Sequence, residues 1–126
     1  MKKPPKDKIA KSEMGLNGNE LASYITANLG DILAVIRLNG GKINQYYYAY
    51  TISHGGNFTH SGITDLLLLC PNGDTMWIEL KGNGDTMRSE QVDFGMLCRK
   101  LNHVHTVVTN DNYTELVASI RSVYGN

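Results

Sequence analysis

Apolar and polar residues follow two different periods along this chain, and the switches between them mark its elements. After the polar stretch 17–19, Leu21, Tyr24, Ile25 and Leu29 recur at helical spacing, predicting an amphipathic helix that Gly30-Asp31 ends. Residues 32–38 (ILAVIRL) are rich in β-formers and predict a strand closed by Asn39-Gly40-Gly41. Two further apolar runs, 66–70 and 76–80, flank Pro-Asn-Gly-Asp and predict a hairpin. A loop over 82–88 leads to a helix capped by Ser89 and running to about Leu101, then to a strand over 104–109. Residues 110–112 start a last helix, with Leu116, Val117, Ile120 and Tyr124 as its buried stripe. Within 42–60, Tyr46, Tyr47, Tyr48 and Tyr50 suit a strand and residues 53–57 a loop. The order of helix, strands, helix, strand and helix is that of a mixed α/β sandwich.

Length and composition narrow this further. A chain of 126 residues supports one domain with a real core. Residues 1–16 carry Pro4-Pro5, many charges and little periodicity, and read as a flexible basic arm before a single domain over 17–126. No apolar run approaches the roughly 20 residues of a membrane helix, and the basic start lacks a signal-peptide core, so a cytoplasmic location is expected. Cys70 and Cys98 have neither a C-x-x-C nor a zinc spacing and read as free, buried thiols. His54, His60, His103 and His105 make no helical metal pair, and no zinc site is expected. Formal net charge is zero, but unevenly spread. Residues 1–11 hold five lysines (2, 3, 6, 8 and 11) against one acid, hence +4; the remainder holds seven basic and eleven acidic residues, hence −4. The lysine arm suits non-specific phosphate attraction, or serves only as a solubilising end.

The chemistry concentrates in 61–91. Strand side chains alternate faces, so Glu79 and Lys81 project together while Leu80 points away. If the hairpin strands pair, Asp65 reaches the same edge. Two carboxylates and an ammonium then converge, and carboxylate oxygens suit a hard cation such as Mg²⁺. An isolated E-x-K is more often a surface ion pair worth little. Its combination with Gly-x-x-Asp, hairpin spacing and a following Ser-Glu-Gln helix start favours the site. The tyrosine run has two readings, a filled sheet face or a surface on which bases stack.

Gly62-Ile63-Thr64-Asp65, the hydrophobic strand after it, Ile78-Glu79-Leu80-Lys81, the glycine-containing loop and Ser89-Glu90-Gln91 together resemble the PD-(D/E)xK nuclease superfamily. Within it the array is most similar to the VRR-NUC family of small phage-type and structure-selective nucleases, over roughly residues 19–120. One departure is Thr64, where the family commonly has a proline that would stiffen the approach to the strand. The resemblance implies a restriction-endonuclease-like fold, a mixed central sheet in an αβββαβ core plus a C-terminal helix. It implies a Mg²⁺- or Mn²⁺-dependent endodeoxyribonuclease, in a bacterial or phage-infected cell, acting as a homodimer on branched or Holliday-junction DNA. Asp65 and Glu79 would be metal ligands, with the Leu80 carbonyl a third and Glu20 on the first helix an extra one. Lys81 would approach the scissile phosphate or attacking water, and Gln91 would point into the site. Arg37, Asn39, Lys42 and Arg88 would face DNA. Two alternatives stay open: a restriction-type or nicking nuclease on duplex DNA, and a non-catalytic DNA-binding or assembly subunit.

Overall fold

The structure, a computed structural model, describes residues 15–38 and 63–125. Most of the lysine arm, the tyrosine run, Asn39 and Lys42 lie outside the described residues. Helix α1 (Gly18–Leu29) precedes strands β1 (Ala34–Arg37), β2 (Leu66–Leu69) and β3 (Thr75–Leu80). Helix α2 (Ser89–Lys100), strand β4 (Val104–Val108) and helix α3 (Tyr113–Tyr124) follow. The described residues form a mixed α/β fold, with one sheet in the order β1-β2-β3-β4. Its first three strands are antiparallel neighbours, and β4 runs parallel to β3.

Period-two alternation divides the sheet into two faces. Leu66, Leu68, Ile78, Leu80 and Val108 meet α1 and α3 in one core with Leu21, Ile25, Leu29, Tyr113, Val117 and Ile120. A 12-residue helix is marginal by itself. Burial of Leu21, Ile25 and Leu29, worth ~1.5–3 kcal/mol each, outweighs the weak helix propensities of Gly18, Asn19 and Thr26, each about 1 kcal/mol or less. The opposite face carries Trp77 and His105 beneath α2. There the Phe94 ring stands edge-on to Trp77 at 5.2 Å and to His105 at 6.1 Å.

The turn chemistry is as the residues suggest. Pro71–Gly73 forms a single 3₁₀ turn with Asn72 at φ 67° and Gly73 at φ 80°, closed by Cys70 N–H donating to Asp74 O at 2.8 Å. Both cysteines are free and buried. No helix among the described residues is long and apolar enough to cross a membrane.

Three boundaries differ from the reading of the letters. The first strand begins at Ala34 because Ile32 and Leu33 both donate backbone N–H groups to Leu29 O, prolonging the helix end as a turn. Leu16, assigned to the arm, belongs to the fold. It is 1% exposed, and the Asn110 side chain accepts from its N–H at 2.7 Å and donates to its C=O at 2.9 Å. Finally, the N-cap of α2 is Arg88 rather than Ser89.

Candidate active site

The pairing of β2 with β3 sets the site. Leu66 faces Ile78 in the ladder, so Asp65, one residue earlier, lies at the level of Glu79. Asp65 forms the bend that enters β2, with its main-chain carbonyl accepting from Leu38 N–H at 2.8 Å. Its side-chain Oδ2 accepts from Leu80 N–H at 2.7 Å. The N–H and C=O of one strand residue point the same way, so the Leu80 carbonyl also lies on the Asp65 side. At the other edge of β3, Lys81 N–H donates to Val108 O at 2.9 Å and continues the pairing with β4.

Glu79 and Lys81 project together, towards α2. Glu79 is 1% exposed. Its Oε2 accepts from Gln91 Nε2 at 3.0 Å and lies 3.6 Å from Lys81 Nζ. Its Oε1 is fully buried and has no hydrogen-bond donor. Burial pushes the Glu79 carboxyl up to about 8; the nearby Asp65, close enough to share a proton with it, adds to the rise, and Lys81 opposes it. Two carboxylates this close do not both ionise freely without a proton or cation between them. An acceptor oxygen buried without a donor, beside a second carboxylate, is therefore a fit for a divalent cation. Asp65 and Glu79 are the side chains that would hold it, with the Leu80 carbonyl adjacent. Among the described residues no set of three or more His, Cys, Asp or Glu gathers at one place.

Gln91 joins the two halves of the site. Its Oε1 accepts from Lys81 Nζ at 2.7 Å and from Arg88 N–H at 2.9 Å, which leaves Nε2 to donate to Glu79. Because the N-cap is Arg88, Gln91 occupies the third helical position, from which a side chain reaches back to the cap. Capping and site-building are one interaction network. Lys81 is drawn closer to Gln91 than to Glu79, so its ammonium is held beside the carboxylate pair without closing it.

Glu20 is placed elsewhere. Its Oε1 accepts from Asn17 N–H at 3.0 Å while Asn17 Oδ1 accepts from Glu20 N–H at 2.8 Å, a capping box at the start of α1. The structure does not bring it into a cluster with Asp65 and Glu79. Arg37 is exposed and lines a cleft of about 380 Å³ together with Asn17, Asn19, Asp65 and Leu80. Lys81 opens onto a second, smaller cleft of about 210 Å³ with Asn83, Asp85, Thr109 and Asp111. Asp65 and Lys81 are thus reached from opposite sides of β3. A larger groove of about 610 Å³ lies at the other end of the sheet, against Met76, Val104 and Val123, and holds none of these residues. Arg88 is exposed at the start of α2.

The close pass of β3 beneath α1 requires Gly82. A Cβ there would lie 2.9 Å from Asn17 Cα and 3.1 Å from Gly18 N, both backbone atoms. Two contributors escaped the reading of the letters: the Arg88 main-chain N–H, which carries no residue-type signal, and the buried hydroxyl of Thr64, 0% exposed. Neither a family model, nor a curated protein, nor a solved structure matches this chain.

Proposed function

We propose that this chain is a metal-dependent endodeoxyribonuclease of the PD-(D/E)xK type, with a restriction-endonuclease-like core. The observation that carries the reading is the buried Glu79 carboxylate: Oε1 has no donor, Asp65 lies close beside the group, and Gln91 and Lys81 stand at Oε2. A bound Mg²⁺ or Mn²⁺ would supply charge neutralisation at the phosphate and a water acidic enough to attack it. The chain's own groups do the rest. Lys81 presents a fixed ammonium where negative charge develops on a phosphodiester. Gln91 holds that ammonium and the Glu79 carboxylate in a constant relation, so neither reorganises during the reaction. Arg37, at the rim of the Asp65 cleft, supplies a cation for a neighbouring phosphate.

The resemblance supports branched or four-way-junction DNA as substrate and a homodimer as the working unit, since two sites related by a two-fold axis match a symmetric junction. Junction, flap and linear duplex, each incubated with and without Mg²⁺, test the reading directly. Cleavage of junctions that requires the metal, and that is lost in Glu79→Ala and Lys81→Ala with DNA binding retained, is expected. Cleavage retained in both variants rejects the site; metal-dependent cleavage of linear duplex alone points to a restriction-type or nicking enzyme. Binding without cleavage points to an assembly subunit. Light scattering with junction DNA present is expected to show a dimer, and a monomer there refutes that part.

A further inference from the structure

The first carboxylate of the site is not delivered by the strand itself. Asp65 precedes the first residue of β2 and sits in a bend, where regular ladder geometry does not fix its direction. Three contacts converge on that bend. Leu38 N–H binds the Asp65 carbonyl, and Leu80 N–H binds the Asp65 side chain. The third contact is local: Thr64 Oγ1 donates to Leu66 O at 3.0 Å, spanning Asp65 from both sides. The hydroxyl is in a fully buried residue, so water does not compete for it. A threonine side chain bonded two residues ahead closes a small ring around the intervening residue and restricts its φ and ψ. It also has one dominant use here, because burying a hydroxyl without a partner would be strongly unfavourable.

We propose that Thr64 is a positioning residue for Asp65: its buried hydroxyl, bonded across Asp65 to the Leu66 carbonyl, sets the bend that brings the Asp65 carboxylate to the Leu80 amide and alongside Glu79. The inference rests on the nuclease reading for its purpose, but not for its geometry. Where a proline ring would stiffen this approach, the hydroxyl does so by a side-chain hydrogen bond.

The test compares Thr64→Val, which keeps the shape and removes the hydroxyl, with Thr64→Ser, which keeps the hydroxyl. Two readouts are taken on the full chain. The first is hydrogen exchange of the Leu80 amide in metal-free protein, relative to the Ile78 amide. The second is the affinity for Mn²⁺ alone by calorimetry. Thr64→Val is expected to speed Leu80 exchange ~10-fold, the equivalent of about one lost hydrogen bond, with Ile78 unchanged, and to weaken Mn²⁺ by a similar factor. Thr64→Ser is expected to stay near wild type in both. Should the valine variant not fold, Thr64→Ala against Thr64→Ser isolates the same hydroxyl. An unchanged Leu80 amide in the hydroxyl-free variant, or equal acceleration at Leu80 and Ile78, overturns the proposal. Selective Leu80 acceleration in a protein whose wild type binds no Mn²⁺ keeps Thr64 in its role and sinks the metal-dependent reading instead.

Discussion

Replacing Glu79 with glutamine in metal-free protein removes a charge that the fold holds in an unfavourable place. The folded carboxyl stands at about 8 against an ordinary value of 4.5. Below 4.5 the acid is protonated in both states and contributes no slope. Between 4.5 and about 8 only the folded state keeps the proton, so stability falls as pH rises; above about 8 the full penalty is present. At about 1.4 kcal/mol per pH unit, that interval sets a ceiling of about 5 kcal/mol. Lys81 loses its partner at 3.6 Å in the variant, which takes back part of the gain. Gln91 Nε2 keeps an acceptor in the new amide, whose NH₂ can face Asp65. A net stabilisation of about 2 kcal/mol or more at pH 9 is therefore expected, shrinking towards zero near pH 5. Urea denaturation followed by fluorescence of Trp77, the single tryptophan, measures it at pH 5, 7 and 9 in chelator. Added Mn²⁺ should then stabilise wild type by mass action and leave Glu79→Gln unmoved. A variant less stable than wild type at pH 9, or a difference that does not change with pH, refutes the claim that Glu79 is a buried acid awaiting a cation.

Other consequences are equally open to measurement. Gln91→Ala strips partners from Glu79 Oε2, Lys81 Nζ and Arg88 N–H, and should cost ~1–3 kcal/mol in unfolding. On the proposed nuclease reading, Mn²⁺-dependent cleavage by this variant should fall ~10–100-fold, as for loss of a group that orients a metal ligand; unchanged cleavage would remove Gln91 from the site. Gly82→Ala forces backbone apart at Asn17 and should destabilise by more than ~1 kcal/mol in thermal melts; a neutral outcome would show that α1 and β3 separate easily. His105 has both ring nitrogens buried without partners, and burial, with Arg99 adding, holds its imidazole below the ordinary 6.5. The unfolded chain takes up that proton first, so stability should fall as pH drops through about 6.5, and His105→Phe should lose that component in acid denaturation. Asn110→Ala removes both bonds to Leu16 and should cost ~1–3 kcal/mol, read by urea midpoint.

What the letters determined here is local. Helical spacing placed α1 and α3, Pro-Asn-Gly-Asp placed the hairpin between β2 and β3, and period-two alternation put Glu79 and Lys81 on one face. Each follows from residues within a few positions of one another, where backbone geometry leaves few options. That Asp65 reaches the edge carrying Glu79 was legible only on the condition that the hairpin strands pair; the register itself, Leu66 opposite Ile78, came from the structure. Other features depended on tertiary structure. Leu16 is part of the fold because Asn110, 94 residues away, binds both of its backbone groups. Glu20 and Gln91 each reach back three residues to a helix start, and Gln91 also bonds Lys81 and Glu79, because α2 lies over the sheet face that carries Glu79. The raised Glu79 carboxyl belongs to the same class. Nothing in Ile-Glu-Leu-Lys distinguishes a solvated glutamate from a buried one; the rise comes first from burial and then from the charge of the neighbouring Asp65, and only the assembled fold brings the two together.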